Sequence, residues 1–442
     1  MNAQKTEKGN AKRTRDGANA LLREGPELED LVAEIRDGRK GKKRVAIVIP
    51  TLNWNEILSE HLKRLSGEKF RDFDVVIVYG ENDEYLENVY GLPVVHIKRR
   101  YDCGSAGGFY IGERFAFDEG YEAVILADND ALPDSDSLVG ELVRAVDSGA
   151  DIALPKVRNK PGEEGRTIDI IAQYGCMGRR ILEKTGLAYF PFYFGGEDIE
   201  HLERMRRMGA KVAYVESFVL HPSFSVSMFI MKPSKMLHFL RGSVLCMYLG
   251  KPAFELYYWI FLVLVYGLFL APWRADISRD IISAAFHASQ MHFFRLSTSA
   301  QDEISPSPVN GAEGFEAIHL SADVWQGKTI MEKVGSALRS SFCYLAQMPR
   351  IFGRNVIFDG AVGQDGIPLA ILAKNSYLKY DGKIFPVFKD NRFYLFPIYF
   401  LYFPIVVLFS AFLALILGTV GYIKMFMLGV RTDGYGVRKQ RD

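Results

Sequence analysis

Val45-Ala-Ile-Val-Ile-Pro50 carries no polar side chain and no alternation of polar with apolar, the pattern of a strand buried on both faces of a parallel sheet. A helix is predicted directly after it, with Leu58, Leu62 and Leu65 at helical spacing and Gly67 as its stop. The alternation then repeats: Val75–Val78 and Val94–Ile97 read as strands, Ala106–Glu119 as a helix, Ala123–Leu126 as a strand, and Ser135–Ser148 as a helix. Strands alternating with helices at this spacing define an α/β fold around a mainly parallel sheet. Ligands bind such sheets at the carboxyl ends of the strands, so the residues just after the apolar runs are where chemistry is expected.

The α/β domain is expected over residues 44–245, in a chain of 442 residues with room for two or three domains. Charge argues against a nucleic-acid partner, since 54 basic and 53 acidic residues leave a net charge of +1 and give no surplus for phosphate contacts. The four cysteines, Cys103, Cys176, Cys246 and Cys343, lie far apart without zinc spacing and are expected to be reduced and mostly buried. Mean hydropathy sits at zero despite 24% charged residues, so apolar content is concentrated somewhere. It is concentrated in Leu256–Trp273 and Phe393–Ile423, stretches of 18 and 31 residues without a charge, near or beyond what spans a bilayer as helix.

The remaining boundaries follow from these blocks. Residues 1–43 are a charged, partly helical lead-in whose short stripe is Leu21, Leu22, Leu31, Val32 and Ile35, and 246–273 is an apolar membrane segment. Residues 274–392 are a linker or accessory region, with a Ser/Pro/Gly-rich stretch at 305–314 and an amphipathic one at 334–352. It is a candidate to cap the site, pack on the membrane or build a homo-oligomer. Residues 393–442 form a transmembrane segment and a basic tail with Lys424, Arg431, Arg438, Lys439 and Arg441. No apolar signal segment opens the chain, and the basic tail obeys the positive-inside rule when cytoplasmic. A cell-membrane protein with its α/β domain facing the cytoplasm is expected, with the number of crossings open.

Three constellations stand where chemistry is expected. Asp128-Asn129-Asp130 follows the strand Ala123–Leu126 and offers two carboxylates to a divalent cation and a diphosphate, although an Asx-rich turn before Pro133 reads the same way. Gly104-Ser-Ala-Gly-Gly108 opens a helix after a strand and permits close approach of a ligand to backbone N–H groups; it matches neither GxGxxG nor a P-loop, and a tight strand-to-helix turn is the plain alternative. Gly195-Gly-Glu-Asp-Ile-Glu200 follows an aromatic run, Tyr189–Phe194. Aromatics stack on sugar faces and a carboxylate there can take a hydroxyl proton, while acidic residues in a first helical turn are also ordinary complements of the helix dipole. His221, just past the run Val212–Leu220, is a candidate third metal ligand or a hydrogen-bonded structural histidine.

The order of these parts, from Pro50-Thr-Leu-Asn53 through the glycine-rich helix start, Asp-x-Asp, the aromatics with Glu-Asp and the late histidine, resembles family 2 glycosyltransferases of the GT-A fold. The likeness covers about residues 44–245. Within it, Phe194-Gly-Gly-Glu-Asp-Ile-Glu-His-Leu-Glu-Arg-Met-Arg-Arg-Met-Gly-Ala-Lys-Val-Ala-Tyr-Val215 followed by His221 is similar to the rhamnosyl- and galactofuranosyltransferase branch. The resemblance implies that Asp128, Asp130 and His221 hold Mn²⁺ or Mg²⁺ on the diphosphate of a nucleotide-sugar donor. It makes Asp198 the catalytic base, with Glu197 beside it and Glu200, Phe194, Gly195 and Gly196 toward the acceptor. Thr51, Asn53, Asn129, Gly104, Gly107 and Gly108 fall on the donor side. The run Tyr79-Gly-Glu-Asn-Asp83 departs from the family pattern, and contact with the base falls to Glu81 or Asp83.

The implied activity is inverting, metal-assisted transfer of a sugar to a hydroxyl. The apolar blocks make a lipid-linked glycan or glycolipid the expected acceptor. A polymer-extruding synthase is disfavoured, because no Gln-x-x-Arg-Trp segment follows the domain. An idle nucleotide-sugar-binding membrane scaffold is the alternative, against which stand the three retained carboxylates Asp128, Asp130 and Asp198.

Overall fold

The computed structural model describes residues 25–52, 55–159, 161–221, 232–250, 253–271, 274–291, 296, 316–319, 353–359, 374–380, 383–388 and 396–428. In chain order these form α1 (Leu28–Leu31), β1 (Val32–Asp37), β2 (Val45–Pro50), α2 (Asn55–Ser66), β3 (Phe73–Tyr79), β4 (Val94–Arg99), α3 (Gly104–Asp118), β5 (Ala123–Ala127), β6 (Leu132–Pro133) and α4 (Leu138–Asp147). Then come β7 (Ile152–Arg158), β8 (Arg166–Thr167), β9 (Gln173–Gly178), α5 (Arg179–Thr185), α6 (Glu197–Arg207) and β10 (Val212–Leu220). Helices α7 (Pro233–Gly250), α8 (Ala253–Leu270) and α9 (Ala275–Ser289), strands β11 (Glu316–His319), β12 (Asn355–Asp359), β13 (Asn375–Tyr380) and β14 (Lys383–Phe388), and the long helix α10 (Phe396–Leu428) complete the described chain.

The main sheet runs β1-β4-β3-β2-β5-β9-β7-β10-β6, with β8 on β7. Neighbours β4, β3, β2 and β5 are parallel, and β9 is antiparallel to both β5 and β7. The residues of β2 explain why this strand is central: Val45, Ile47 and Ile49 pack with Leu58, Leu62 and Leu65 of α2 and Leu138 of α4, whereas Ala46 and Val48 face Phe109 and Ile111 of α3. Each such buried aliphatic side chain is worth about 1.5–3 kcal/mol, which favours this register over a one-residue slip. The chain leaves β2 toward β3 and β4 on one side and reaches β5 on the other, so the gap between the carboxyl ends of β2 and β5 is the topological switch point where ligands enter such sheets.

Two expectations about the flanks change. Leu31 of the stripe ends a single helical turn, and Val32 and Ile35 lie in a strand, because pairing with β4, from Val32 opposite Arg99 to Asp37 opposite Val95, satisfies the open hydrogen-bonding edge of the sheet. The boundary expected at 245/246 falls inside one continuous helix, α7. Cys103 and Cys176 are free and buried as expected, and Cys246 is buried as well.

Helices α8 and α10 lie antiparallel: the Tyr257 and Thr419 hydroxyls share a hydrogen bond of 3.2 Å at one end, and the Phe269 and Phe403 rings meet at 5.9 Å near the other. Among the described residues, one stretch, Tyr402–Leu428 in α10, is long and apolar enough to cross a membrane, and the apolar part of α8, Glu255–Leu270, is shorter. Strands β11, β12 and β13 are parallel and β14 closes a hairpin on β13. The stretches at 305–314 and 334–352, Cys343, Asn53, and the tail residues Arg431, Arg438, Lys439 and Arg441 lie outside the described residues.

Candidate functional site

Asp128 leaves the end of β5 with its N–H bonded to the Ala172 carbonyl at 2.8 Å, and a turn returns the Ala131 N–H to its own carbonyl at 3.1 Å. The Gln173 side-chain amide donates to Asp128 Oδ2 at 2.9 Å. His221 stands at the end of β10, its N–H on the Arg158 carbonyl at 2.9 Å and its Nε2 3.1 Å from Asp130 Oδ1. Ligand atoms of Asp128, Asp130 and His221 therefore lie within 4.8 Å of one another. Ligands about 2.1 Å from a cation stand roughly 3 to 4 Å apart, so this group can hold a divalent cation after a small closure, and two carboxylates with an imidazole suit Mn²⁺ or Mg²⁺.

Charge supports the same fit. Burial, and then the negative charges of Asp130, Asp198 and Glu197, push the Asp128 carboxyl well above its ordinary range, and only Lys235 acts in the opposite sense among the main influences. Burial and Asp198 raise Glu197, and burial raises Asp198. Four acidic side chains thus crowd one partly dry space, a repulsion that a bound cation relieves.

The acidic side chains of α6 are delivered by an unusual approach. Tyr193 adopts φ 66°, ψ −63°, and the Phe194 N–H bonds the Phe192 carbonyl at 2.8 Å, a γ-turn of the strained positive-φ kind. Gly195 and Gly196 follow at φ +82° and +85°, and their backbone lies directly on α7: a Cβ on Gly242 would meet the Gly195 oxygen at 1.7 Å. Glu197 is buried, with one carboxylate oxygen accepting the Ser105 hydroxyl and Oε2 without a hydrogen bond. Asp198 is only half-buried, so its carboxylate is the one of the pair that can meet an incoming group.

Several residues sit elsewhere than their sequence context suggested. Glu200, expected toward an acceptor, is instead buried against Arg204, whose Nε donates to its two oxygens at 3.0 and 3.3 Å. That guanidinium also bonds the carbonyls of Thr185 and Leu187 at 2.5 and 2.9 Å and His201 Nδ1 at 2.8 Å, while His201 Nε2 meets Glu113 of α3 at 2.9 Å. This network fixes the direction of α6 rather than a substrate. Gly107 and Gly108, expected near the donor, serve packing: a Cβ on them would meet Cys103 Sγ at 2.3 Å and Pro50 Cβ at 2.6 Å. Gly104, at φ +69°, lies against the Tyr193 carbonyl.

Of the residues expected on the donor side, Thr51 is buried with its hydroxyl lacking a hydrogen bond. Asp83 is buried and caps the Gly80 N–H at 2.9 Å, while Glu81 is exposed beside it. Asn129 and Phe194 are both half-buried.

Sequence reasoning missed three groups. Arg99 is buried and gathers the ends of two strands and a helix, donating to the carbonyls of Tyr79, Gly104 and Thr51 at 3.0, 2.8 and 3.2 Å. Helix α7 lines the site with Lys235, 5.1 Å above the Phe194 ring, His238, whose ring lies tilted against Tyr193 at 4.8 Å, and Arg241, which donates to the Phe192 carbonyl at 2.6 Å. Burial lowers Arg241 to about 10 against the opposing charge of Glu197. The spacing of these three along α7 was a signal, hidden by the apolar residues between them. The third group is His61, fully buried and lowered to about 4 by that burial, behind the Asp128–Asp130 turn.

No protein-family profile matches the chain, and no curated protein matches it. Among solved structures it is similar to the mannosyltransferase PcManGT from Pyrobaculum calidifontis in complex with GDP-Man and Mn²⁺, at 15% identity over 58% of this chain and 78% of that one, with a TM-score of 0.37. It is also similar to S. aureus TarS 1–349 in complex with UDP-GlcNAc, at 13% identity over 56% and 81% of the two chains with a TM-score of 0.37. GalNAc-T7 with UDP, GalNAc and Mn²⁺ matches at 13% identity over 50% of this chain and 51% of that one, with a TM-score of 0.38. All three likenesses are distant.

Proposed function

We propose that the chain is a membrane-attached, divalent-cation-dependent glycosyltransferase of the GT-A kind. It moves a sugar from a nucleoside-diphosphate donor to a hydroxyl of a lipid-linked glycan or glycolipid. The observation that carries the proposal is the meeting of Asp128, Asp130 and His221 with Asp198 and Glu197 at the carboxyl ends of β5 and β10, beside the switch point between β2 and β5.

A cation held by Asp128, Asp130 and His221 supplies positive charge to the departing diphosphate. Asp198 accepts the proton of the acceptor hydroxyl, and its raised pKa suits a general base better than an ordinary aspartate would. The acceptor oxygen bonds the anomeric carbon as the bond from that carbon to the diphosphate oxygen breaks, which inverts the anomeric centre. Thr51 and the Gly80–Asp83 turn form the nucleotide side, Glu197 is steadied by Ser105, and the Phe194 face stacks on a sugar. The run Phe194–Val215 supports the rhamnosyl- or galactofuranosyltransferase branch within this reading.

The exposed side chains of α10, among them Leu408 at 73% and Phe426 at 88%, support lipid contact. Its 27-residue apolar stretch is about 40 Å long as helix, more than the roughly 30 Å of a bilayer core. A basic tail beyond it supports a cytoplasmic catalytic domain at the cell membrane. The test is release of nucleoside diphosphate by detergent-purified protein across UDP-, GDP- and dTDP-sugars, with Mn²⁺ or EDTA and a membrane lipid extract. Metal-dependent release from one donor, requiring lipid and reduced about 10²- to 10⁴-fold by Asp198→Asn, is expected. Donor binding without turnover under every condition would move the assignment to a scaffold, and equal transfer to free soluble sugars would remove the lipid acceptor.

A further inference from the structure

We infer that His61, with Tyr174 behind it, is a positioning residue for the metal-binding turn and acts through the Asn129 peptide. The inference rests on the metal centre proposed above. His61 projects from α2 among Leu58, Leu62 and Leu65, a face where an aliphatic side chain packs without unmet polar atoms. A buried imidazole and a buried phenol there are costly unless paired, and the pairing runs in a chain, from the Tyr174 hydroxyl to His61 and from His61 to the turn.

The chemistry of the contact fixes the hydrogens. His61 Nδ1 lies 3.1 Å from the Asn129 carbonyl oxygen, and a carbonyl can only accept, so Nδ1 carries the proton. Nε2 is then the acceptor and the Tyr174 hydroxyl donates to it. Tyr174 is itself held at φ +66°, a conformation that a bulky side chain adopts only under constraint. Its neighbour Gln173 donates to Asp128 Oδ2 at 2.9 Å. Two adjacent residues at the start of β9 therefore reach the same turn, one at a ligand carboxylate and one, through His61, at the peptide between the two ligand carboxylates.

That peptide is planar, so fixing its carbonyl fixes the plane from which the Asp130 side chain leaves. Once the hydrogen bond is gone, the peptide is free to rotate, and Asp130 Oδ1 loses its standing relation to Asp128 and His221. Groups that orient metal ligands in this way typically contribute 10- to 100-fold to metal affinity.

The test is Mn²⁺ binding to the full-length protein without donor, read by the loss of free-ion EPR signal, together with thermal melting in EDTA. His61→Phe keeps the ring and removes both hydrogen bonds; it is expected to weaken Mn²⁺ about 10- to 100-fold. His61→Asn, whose amide nitrogen reproduces the Nδ1 donor, is expected to restore most of that loss. Tyr174→Phe removes one oxygen and is expected to cost about 2- to 10-fold; it carries the test should His61→Phe fail to fold. A lower melting temperature with unchanged Mn²⁺ affinity in both variants would make His61 a core residue only and overturn the inference. Wild-type protein that takes up no Mn²⁺ would instead overturn the metal centre itself.

Discussion

Replacing Gly242 by alanine perturbs the site from a helix that the sequence did not mark as part of it. The added Cβ would stand 1.7 Å from the Gly195 oxygen, 2.7 Å from the Gly195 carbonyl carbon and 3.1 Å from the Phe194 oxygen. All three neighbours are backbone atoms, so no rotamer change can absorb the contact. Restoring an ordinary carbon–oxygen separation of about 3.2 Å requires the Phe194–Gly196 segment and α7 to part by roughly 1.5 Å. Glu197 and Asp198 begin the next helical turn and move with that segment. Misplacing a reacting group by about 1 Å costs on the order of 100-fold in rate, equivalent to about 2.7 kcal/mol of barrier. Nucleoside-diphosphate release by Gly242→Ala is therefore expected to fall by about two orders of magnitude. Mn²⁺ affinity is expected to stay within about 2-fold, because Asp128, Asp130 and His221 follow the ends of β5 and β10 and are not on α6, and any residual spread is of the size of weak coupling between distant sites. Turnover within 3-fold of wild type (a change of about 0.6 kcal/mol in barrier) would refute the claim that this backbone contact sets the position of Asp198.

Three further outcomes follow from the same geometry. Arg204→Met removes the hydrogen-bonded partner of buried Glu200 and leaves it only Arg207, 3.9 Å away, and is expected to cost about 3–5 kcal/mol of stability; the double variant with Glu200→Gln should recover part of this, as measured by thermal melting, since the buried carboxylate charge is gone. The acid limb of kcat/KM is expected above the ordinary aspartate range, because burial raises Asp198 and the base must be ionised to accept a proton; activity then falls as pH drops through that raised value, and a flat profile down to pH about 4, near the unperturbed value, would contradict the assignment. Lysines at Leu408 and Phe412, which are 73% and 62% exposed on α10, should each cost about 2.5–3.5 kcal/mol if the helix crosses a bilayer and should release the protein from membranes on alkaline extraction; unchanged retention would place that face elsewhere.

The sheet was legible because its signals are local. Val45–Pro50, Val75–Val78 and Ala123–Leu126 are apolar on both faces, and only a doubly covered strand accepts that pattern. The metal group was legible because strand ends in such sheets point at ligands, and Asp128 and His221 are each the first residue after a strand. Burial was not legible at the next level. Glu200 and Asp198 are two residues apart in one acidic turn, yet one faces Arg204 and the other the site, a difference set by helical phase. Gly107 and Gly108 read as ligand glycines and are packing glycines, because close approach to Pro50 and Cys103 makes the same demand on side-chain size as close approach to a phosphate. Helix α7 was read as the end of one domain and the start of an apolar segment, and its contacts with residues 192–196 are long-range in sequence. Val32–Asp37 took strand form from a partner sixty residues later, which periodicity within the segment cannot announce.

The central claim is that one cation centre and one base stand together at the ends of β5, β10 and α6. It is tested most directly by anomalous diffraction from crystals of the protein grown with Mn²⁺ and a nucleoside diphosphate. The account predicts a single strong manganese peak among Asp128, Asp130 and His221, with diphosphate oxygens on the same ion and the Asp198 carboxylate open to the space beside it. Manganese bound elsewhere, or a diphosphate seated away from Asp128 and Asp130, would contradict it.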